Sequence, residues 1–429
     1  MSANHKNSIE FSEDLNGAHC DVLVIGAGPS GALATYLLAR QGLNVVLVDK
    51  AIFPRHKVCG CCLSPTALQT LHQAGLDNLL DESSAIPLTE FRLSLAEKSL
   101  VFPLHNFKSI SRSRLDNSIV ELAIKHGARF LPGHTAVIMR KGKSELAEAR
   151  IKQSKKQNEV QQRPERRRLA GFEKLQQRDL VQGHSEWIQK AKVIIVADGL
   201  GGNSTQEFPE LAWTVRKDSY IGIGAISAAA PSYYRDGTIY MNYGKGGYLG
   251  LVRLEDGSTD IAAALSPHYL QANNGDVSKS AARLMNECGV PLPADLDSIP
   301  WKGTVSLTRK RKQVASHRIF VIGDSASYVE PFTGEGIAWA LKSAYAVVPV
   351  VVQAVGQWHP KLIFKWQREY TRLISQSQSK TKIVTELLRH PQFSAPAAQL
   401  LSLPFATSLL GNFIFRPDPK VEQKLCTLQ

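Results

Sequence analysis

Residues 22–49 read VLVIGAGPSGALATYLLARQGLNVVLVD. Residues 22–25 are an apolar run short enough to be a buried parallel strand. Gly26, Gly28 and Gly31 follow in G-x-G-x-x-G spacing, residues 32–40 predict a helix, and residues 45–48 predict a second buried strand ending at Asp49. Each glycine has a physical task. Gly26 permits the tight turn, Gly28 lets the backbone approach a diphosphate, and Gly31 lets the helix lie close on the strand. The helix start adds free N–H groups and a positive dipole end. Gly42 stands where the end of that helix needs a left-handed residue. Asp49 is placed to accept hydrogen bonds from an adenosine ribose. The pattern is that of a dinucleotide-binding βαβ unit.

The chain has 429 residues, 43% of them hydrophobic, which suits a globular enzyme of two domains or one with insertions. Its 51 Lys+Arg outweigh 38 Asp+Glu, a net +13 that favours acidic surfaces such as anionic lipid or an acidic protein. Residues 141–179 hold twelve of these basic side chains against six acidic ones and read as a polar, solvated insert. Arg166, Arg167 and Arg168 lack interleaved aromatics, so nucleic acid is not the expected partner. The polar first twenty residues contain no secretory signal core, and no uninterrupted apolar stretch predicts a membrane span. Cys20, Cys59, Cys61, Cys62, Cys288 and Cys426 form no disulfide framework. A reducing, cytoplasmic location fits them.

Further along, residues 65–76 and 113–126 predict helices, and residues 91–95 and 100–104 predict a hairpin. Residues 193–197 are a buried strand followed by Asp198-Gly199. Strand-like runs at 221–226, 238–243, 248–254 and 259–265 predict an antiparallel second sheet. The fold class expected is α/β: a Rossmann-type domain at 20–85, 105–215 and 305–355, with a substrate-binding sheet domain at 86–104 and 216–304. A flexible tail at 1–19 and a helical region at 356–429 complete the expectation.

The second strong signal is residues 323–337, GDSASYVEPFTGEGI. A buried strand at 319–322 would put Asp324 at the carboxyl end of the sheet, where ligands bind. Its carboxylate can accept from a sugar-alcohol chain. Thr333 is a candidate N-cap, and Gly334, Glu335 and Gly336 open the next helix. Free N–H groups there suit the negative charge of a reduced flavin.

These two motifs, with the loop FPRHKVCGCCLSP at 53–65, resemble the geranylgeranyl reductase branch of the FAD-dependent oxidoreductases. That branch shares its fold with p-hydroxybenzoate-type aromatic hydroxylases, ubiquinone-pathway hydroxylases and flavin halogenases. The resemblance implies FAD as cofactor. Gly26, Gly28, Gly31 and Asp49 would hold its ADP half, with Ala136 and Val137 against adenine. Arg112, of the element Arg112-Ser-Arg-Leu-Asp116, would face the cofactor, as would Asp198 and Gly199. Asp324 would meet the ribityl chain, and Gly334, Glu335, Gly336 and Ile337 the flavin edge. Arg55, Lys57, Cys59 and Gly60 match the family's P-R-x-K-x-C-G element. Two departures stand out: where the family often has two glycines after the cysteine, here Cys61 and Cys62 follow Gly60, and residues 247–253 lack the tryptophan and proline of G-Y-x-W-x-F-P.

Several readings stay open at this level. Cys59 is either a low-pKa thiolate at work in redox chemistry or a small residue packed near the flavin. His56 is either a general acid or a solvated loop histidine. No metal site is indicated, since no second ligand pair is suitably spaced. No second fingerprint precedes an acid-tipped unit, so the electron donor is NAD(P)H docking transiently or a reduced protein. Residues 401–415 are an apolar stretch that could lie on a membrane, cover a greasy substrate or close the core. The leading expectation is an FAD enzyme reducing a double bond of a hydrophobic, isoprenoid or lipid-like molecule. The alternatives are an FAD monooxygenase of an aromatic or polyketide ring and a non-catalytic lipid-binding protein.

Overall fold

Val22, Leu23 and Val24 are 0% exposed because the sheet they enter is covered on both faces. The computed structural model describes residues 19–95, 98–140, 145–154, 186–330, 332, 334–375, 377–379, 381, 385–386 and 415. In chain order the strands are β1 (His19–Ile25), β2 (Val45–Asp49), β3 (Cys62–Leu63), β4 (Ile86–Leu95), β5 (Lys98–Ser109), β6 (Arg129–Pro132), β7 (His134–Met139), β8 (Ala147–Gln153), β9 (Glu186–Val196), β10 (Trp213–Val215), β11 (Ile221–Ser227), β12 (Thr238–Gly244), β13 (Gly247–Arg253), β14 (Thr259–Leu265), β15 (Lys302–Ser306), β16 (Arg309–Arg311), β17 (Ala315–Ser316), β18 (Ile319–Val321) and β19 (Ser327–Tyr328).

The first sheet runs β17-β18-β9-β1-β2-β6, with β8 joining β9 and β7 joining β8. Its pairings from β18 through β9, β1 and β2 to β6 are parallel. Numbered among themselves in sequence, these five strands lie in the doubly wound order 3-2-1-4-5. The order reverses between β1 and β9, so a crevice opens beyond their carboxyl ends. The Pro29–Arg40 helix covers one face, with Pro29 at its first turn and Gly42 at φ +78° just past its end. The Gly336–Gly356 helix packs against it.

The second sheet runs β15-β11-β14-β13-β12-β4-β5-β3. It is antiparallel except where β4 lies parallel to β12. A third, small sheet runs β10-β16-β19. The architecture is thus α/β, a Rossmann-type layer joined to a mostly antiparallel sheet and followed by the helices Gly336–Gly356 and Lys361–Tyr370.

Two local differences from the sequence reading have physical causes. Residues 147–153, inside the stretch read as a solvated insert, form β8. Ala149 and Ile151 are 0% exposed while Arg150 and Lys152 face outward, so alternation outweighs the basic composition. The predicted hairpin extends to Ile86 and Ser109, because β4 has β12 as well as β5 to pair with. The Gly336–Gly356 helix is long and apolar enough to cross a membrane by length and composition. Most of it is buried inside the fold, which makes it the core helix of the layer. Residues 1–18, 155–185, 331, 333 and 401–414, and Cys426, lie outside the described residues. So do the readings of a flexible tail, an Arg166–Arg168 cluster, a Thr333 cap and most of the apolar C-terminal stretch.

The glycines of the first turn are fixed by contact. A Cβ on Gly31 would stand 1.8 Å from the Gly26 carbonyl oxygen. One on Gly26, at φ +102°, would stand 2.3 Å from the Ala197 carbonyl oxygen. Gly31→Ala is therefore expected to lose about 3 kcal/mol or more by overpacking. Gly303→Ala, where nothing lies within 4 Å, should stay within about 0.5 kcal/mol. Urea denaturation of both variants checks this, and equal midpoints would contradict it.

Candidate functional site

The crevice between β1 and β9 opens into a cavity of about 830 Å³, within the usual range of ligand sites. Gly26, Gly28 and Asp49 line one end, and Asp324, Tyr328 and Gly334 line it further along. Ala136 and Val137 of β7 flank the first end. The far wall comes from the second sheet and is apolar, with Ile239, Met241, Tyr248, Ala262 and Ala264 beside Phe91 and Phe332. A smaller recess of about 90 Å³ continues between Gly28, Cys59, Arg112, Asp324, Gly336 and Ile337.

Charge is concentrated where the Gly28 turn meets this cavity. Asp116 is 0% exposed and binds two arginines at once. Arg112 Nε and Nη2 donate to its two oxygens at 3.0 and 2.7 Å. Arg55 Nη1 lies 3.2 Å from Oδ2, and Arg55 Nη2 lies 3.5 Å from Asp49. A Cβ on Gly28 would meet only the tips of Arg112 and Arg55, at 3.6 and 4.0 Å. Two guanidinium groups thus face a bare backbone at a helix start. Asp49 is oriented by the backbone, accepting from Ala27 N and Ala51 N at 2.8 Å each.

The neighbouring titratable groups are shifted. Burial lowers the Lys57 pKa, and repulsion from Arg112 and Arg55 lowers it further. Burial raises that of Asp324 against the pull of Lys57 and Arg112. Burial, then Lys302 and Arg112, push His56 down to about 4. Its ring is neutral at pH 7, with no imidazolium proton to give. A hydrogen bond from Cys61 brings Cys59 down to about 6 against the cost of burial, and Arg112 assists. Burial pushes Glu335 up to about 7, opposed by Ser64 and Lys342.

Most of the residues singled out in the sequence come together here. Gly26, Gly28, Asp49, Arg55, His56, Lys57, Cys59, Gly60, Ala136, Val137, Asp198, Asp324 and Gly334 all line the large cavity. Arg112, Gly199, Gly336 and Ile337 line the recess. Gly31 is spent on packing. Asp198 turns partly inward, its oxygens accepting from Ser204 N at 3.1 Å and from Ser325 Oγ at 3.0 Å. Gly202 is bare because the Asp198 carboxyl fills the space of its Cβ. Glu335 is the residue at the N-cap position of its helix and makes no side-chain capping bond. Other residues of the site were not singled out. Asp116 carried a local signal, its i,i+4 spacing from Arg112. Tyr328 and Asp260 reach the cavity only through tertiary structure.

Residues 19–245 match the family model of the FAD binding domain. This is more than half of the chain, which belongs to that family and stands among the FAD-dependent oxidoreductases. A menaquinone reductase of Mycolicibacterium smegmatis is 27% identical over 93% of this chain and 93% of its own length. Conditioned medium factor receptor 1 of Dictyostelium discoideum is 26% identical over 79% of this chain, and the match spans 64% of that protein. A flavoprotein/dehydrogenase from Cytophaga hutchinsonii superimposes with a TM-score of 0.73 over 96% of this chain and 98% of its own. At 15% identity that likeness speaks for the fold.

Two outcomes follow from the charges. Asp116→Asn should cost about 3–5 kcal/mol by leaving buried Arg112 and half-buried Arg55 short of their partner. The exposed Asp218→Asn should cost under about 1 kcal/mol, although Asp218 also pairs with an arginine. Denaturant midpoints compare the two, and similar losses would contradict the assignment. Glu335 holds its proton longer folded than unfolded, so its contribution to stability falls as pH rises from about 4.5 towards about 7. Glu335→Gln should therefore melt higher than wild type at about pH 8 and lose that advantage at about pH 4. An advantage that does not change with pH would contradict the shift.

Proposed function

We propose that this FAD-family chain is a reductase that saturates a carbon–carbon double bond of a hydrophobic, isoprenoid or lipid-like molecule. The observation that carries the reading is the continuity of the cavity. It runs from a cationic, backbone-rich end at Gly28 to an apolar wall on the second sheet.

The residues present fit FAD. Gly28, with no Cβ and two guanidinium tips within 4.0 Å of where one would stand, suits a diphosphate. The helix start and the arginines would hold its charge, and Asp116 would keep Arg112 and Arg55 aimed. Asp49 would take the ribose, and Ala136 and Val137 would flank adenine. Asp324 would meet the ribityl chain, with Lys57 beside it. Gly334, Glu335, Gly336 and Ile337 would border the flavin together with Cys59, Gly60, Asp198 and Gly199. When bound, FAD supplies reversible two-electron transfer between a donor and the substrate.

The rest falls to the chain. Phe91, Ile239, Met241 and Phe332 would exclude water and seat an apolar substrate beside the flavin position. Reduction of a double bond also consumes a proton. His56 is a poor source at pH 7, since its ring is neutral there. The whole-length similarity to a menaquinone reductase supports a reductase acting on a prenyl-bearing molecule. The donor in this reading is NAD(P)H or a reduced protein. The net charge of +13 supports peripheral contact with an anionic membrane, where such a substrate would reside. The five described cysteines are free thiols, which supports a reducing, cytoplasmic setting.

Anaerobic and aerobic assays separate the reading from its neighbours. The purified protein should be yellow and release FAD on heating. With NADPH or NADH, or a photochemical reductant standing in for a protein donor, prenylated quinones or polyprenyl lipids should gain two hydrogens without oxygen. A product that gains an oxygen atom and requires oxygen would instead make the chain a monooxygenase. A colourless protein that binds lipid would make it a binding protein.

A further inference from the structure

The loop beside Arg112 carries a feature that the proposed reduction does not use. Cys61 adopts φ +51°, a left-handed conformation that favours glycine. Gly60 and Cys61 turn the chain, and Cys59 and Cys61 line the same small recess. Residues two apart are at most about 7 Å apart at Cα, and a turn shortens this into the disulfide range of about 4.4–6.8 Å. Cys62 is engaged elsewhere, its thiol donating to the Gly60 carbonyl at 2.9 Å.

The two thiols differ in access. Cys59 is half-buried and lines the large cavity as well as the recess. Cys61 is 1% exposed and lines only the recess. Arg112 lines the same recess and its charge lowers the pKa of Cys59. Asp260, 1% exposed on β14, lines the cavity beside this loop, and Cys61 lowers its pKa against burial. The interaction with Cys59, and then burial, raise the Cys61 thiol, and burial raises the Asp260 carboxyl. Cys59 is thus the charged, reachable sulfur, and Cys61 the protonated one held in reserve.

We propose that Cys59 and Cys61 are a peroxide-sensitive dithiol in the cavity wall, Cys59 being the sulfur attacked and Cys61 the resolving thiol. The Cys59 thiolate attacks an oxygen of a hydroperoxide. An S–O bond forms, the O–O bond breaks, and the other oxygen leaves as water or alcohol after taking a proton. The Cys61 sulfur then attacks the Cys59 sulfenic acid. The S–S bond forms, the S–O bond breaks, and water leaves with the Cys61 proton. Two thiols lose two hydrogens and one hydroperoxide is reduced. The disulfide removes the thiolate charge from beside Arg112, and a dithiol reductant restores it.

The test needs no substrate, so its failure is distinct from failure of the proposed reduction. The purified protein with its bound flavin is freed of reductant and treated with graded hydrogen peroxide. Free thiols are then alkylated and peptides mapped by mass spectrometry, with dimedone present in a parallel sample. Wild type should lose the Cys59 and Cys61 alkylation sites together, gain a linkage between them, and recover both with dithiothreitol. Cys61→Gly, which suits the left-handed backbone and so preserves the loop, should trap dimedone on Cys59. Cys62→Ala should behave as wild type. Dimedone or higher oxides on Cys59 of wild type with Cys61 still alkylatable would overturn the proposal. So would a linkage to Cys62, or no loss of either thiol.

Discussion

A missing pair of β-carbons sets the geometry of this protein. The Gly31 position touches the Gly26 carbonyl, and the Gly26 position touches the Ala197 carbonyl. The Pro29–Arg40 helix therefore lies directly on the sheet, and the turns that leave β1 and β9 lie against each other. Their contact fixes where the strand order reverses, and the crevice must open there. Gly28, one turn position further, is the first point at which backbone faces open space instead of protein. A side chain at Gly26 or Gly31 would move the helix start, and with it whatever charge that start is built to receive.

Electrostatics then polarises the crevice. Three cations, Arg55, Lys57 and Arg112, are gathered at one end, and Asp116 makes that tolerable by binding two of them. On top of burial, the Arg112 charge reaches Cys59, Lys57 and His56 together, favouring a thiolate and disfavouring further positive charge. The second sheet contributes the opposite character. Ala262 and Ala264 leave room that larger side chains would fill, and Phe91, Met241 and Phe332 keep it apolar. Phe415 is seated on this same layer, with its ring 5.0 Å from Phe91. One cavity therefore offers an ionic grip at one end and an oily wall at the other.

The parts legible in the sequence are those whose physics is local. The first strand, turn, helix and acid could be read because glycine spacing and apolar runs encode them within thirty residues. Asp324 could be placed because a short buried strand ends just before it. β8 was hidden because its outward arginine and lysine dominate the composition while Ala149 and Ile151 carry its core face. The parallel pairing of β4 with β12 joins segments some 150 residues apart, and no local pattern announces it. Asp260 is of the same kind, meeting the Cys59 loop only when β14 is in register. Asp198 could be located but not aimed, since one of its partners, Ser325, sits on a turn 127 residues later.

The central claim is that the crevice grips a flavin dinucleotide by its diphosphate. Calorimetric titration of cofactor-stripped protein with FAD and with riboflavin tests it directly. The account predicts that FAD binds at least about a hundredfold more tightly, a difference of about 2.7 kcal/mol, and that this advantage shrinks as salt is raised. Equal affinity for the two, or no binding of either, would contradict it.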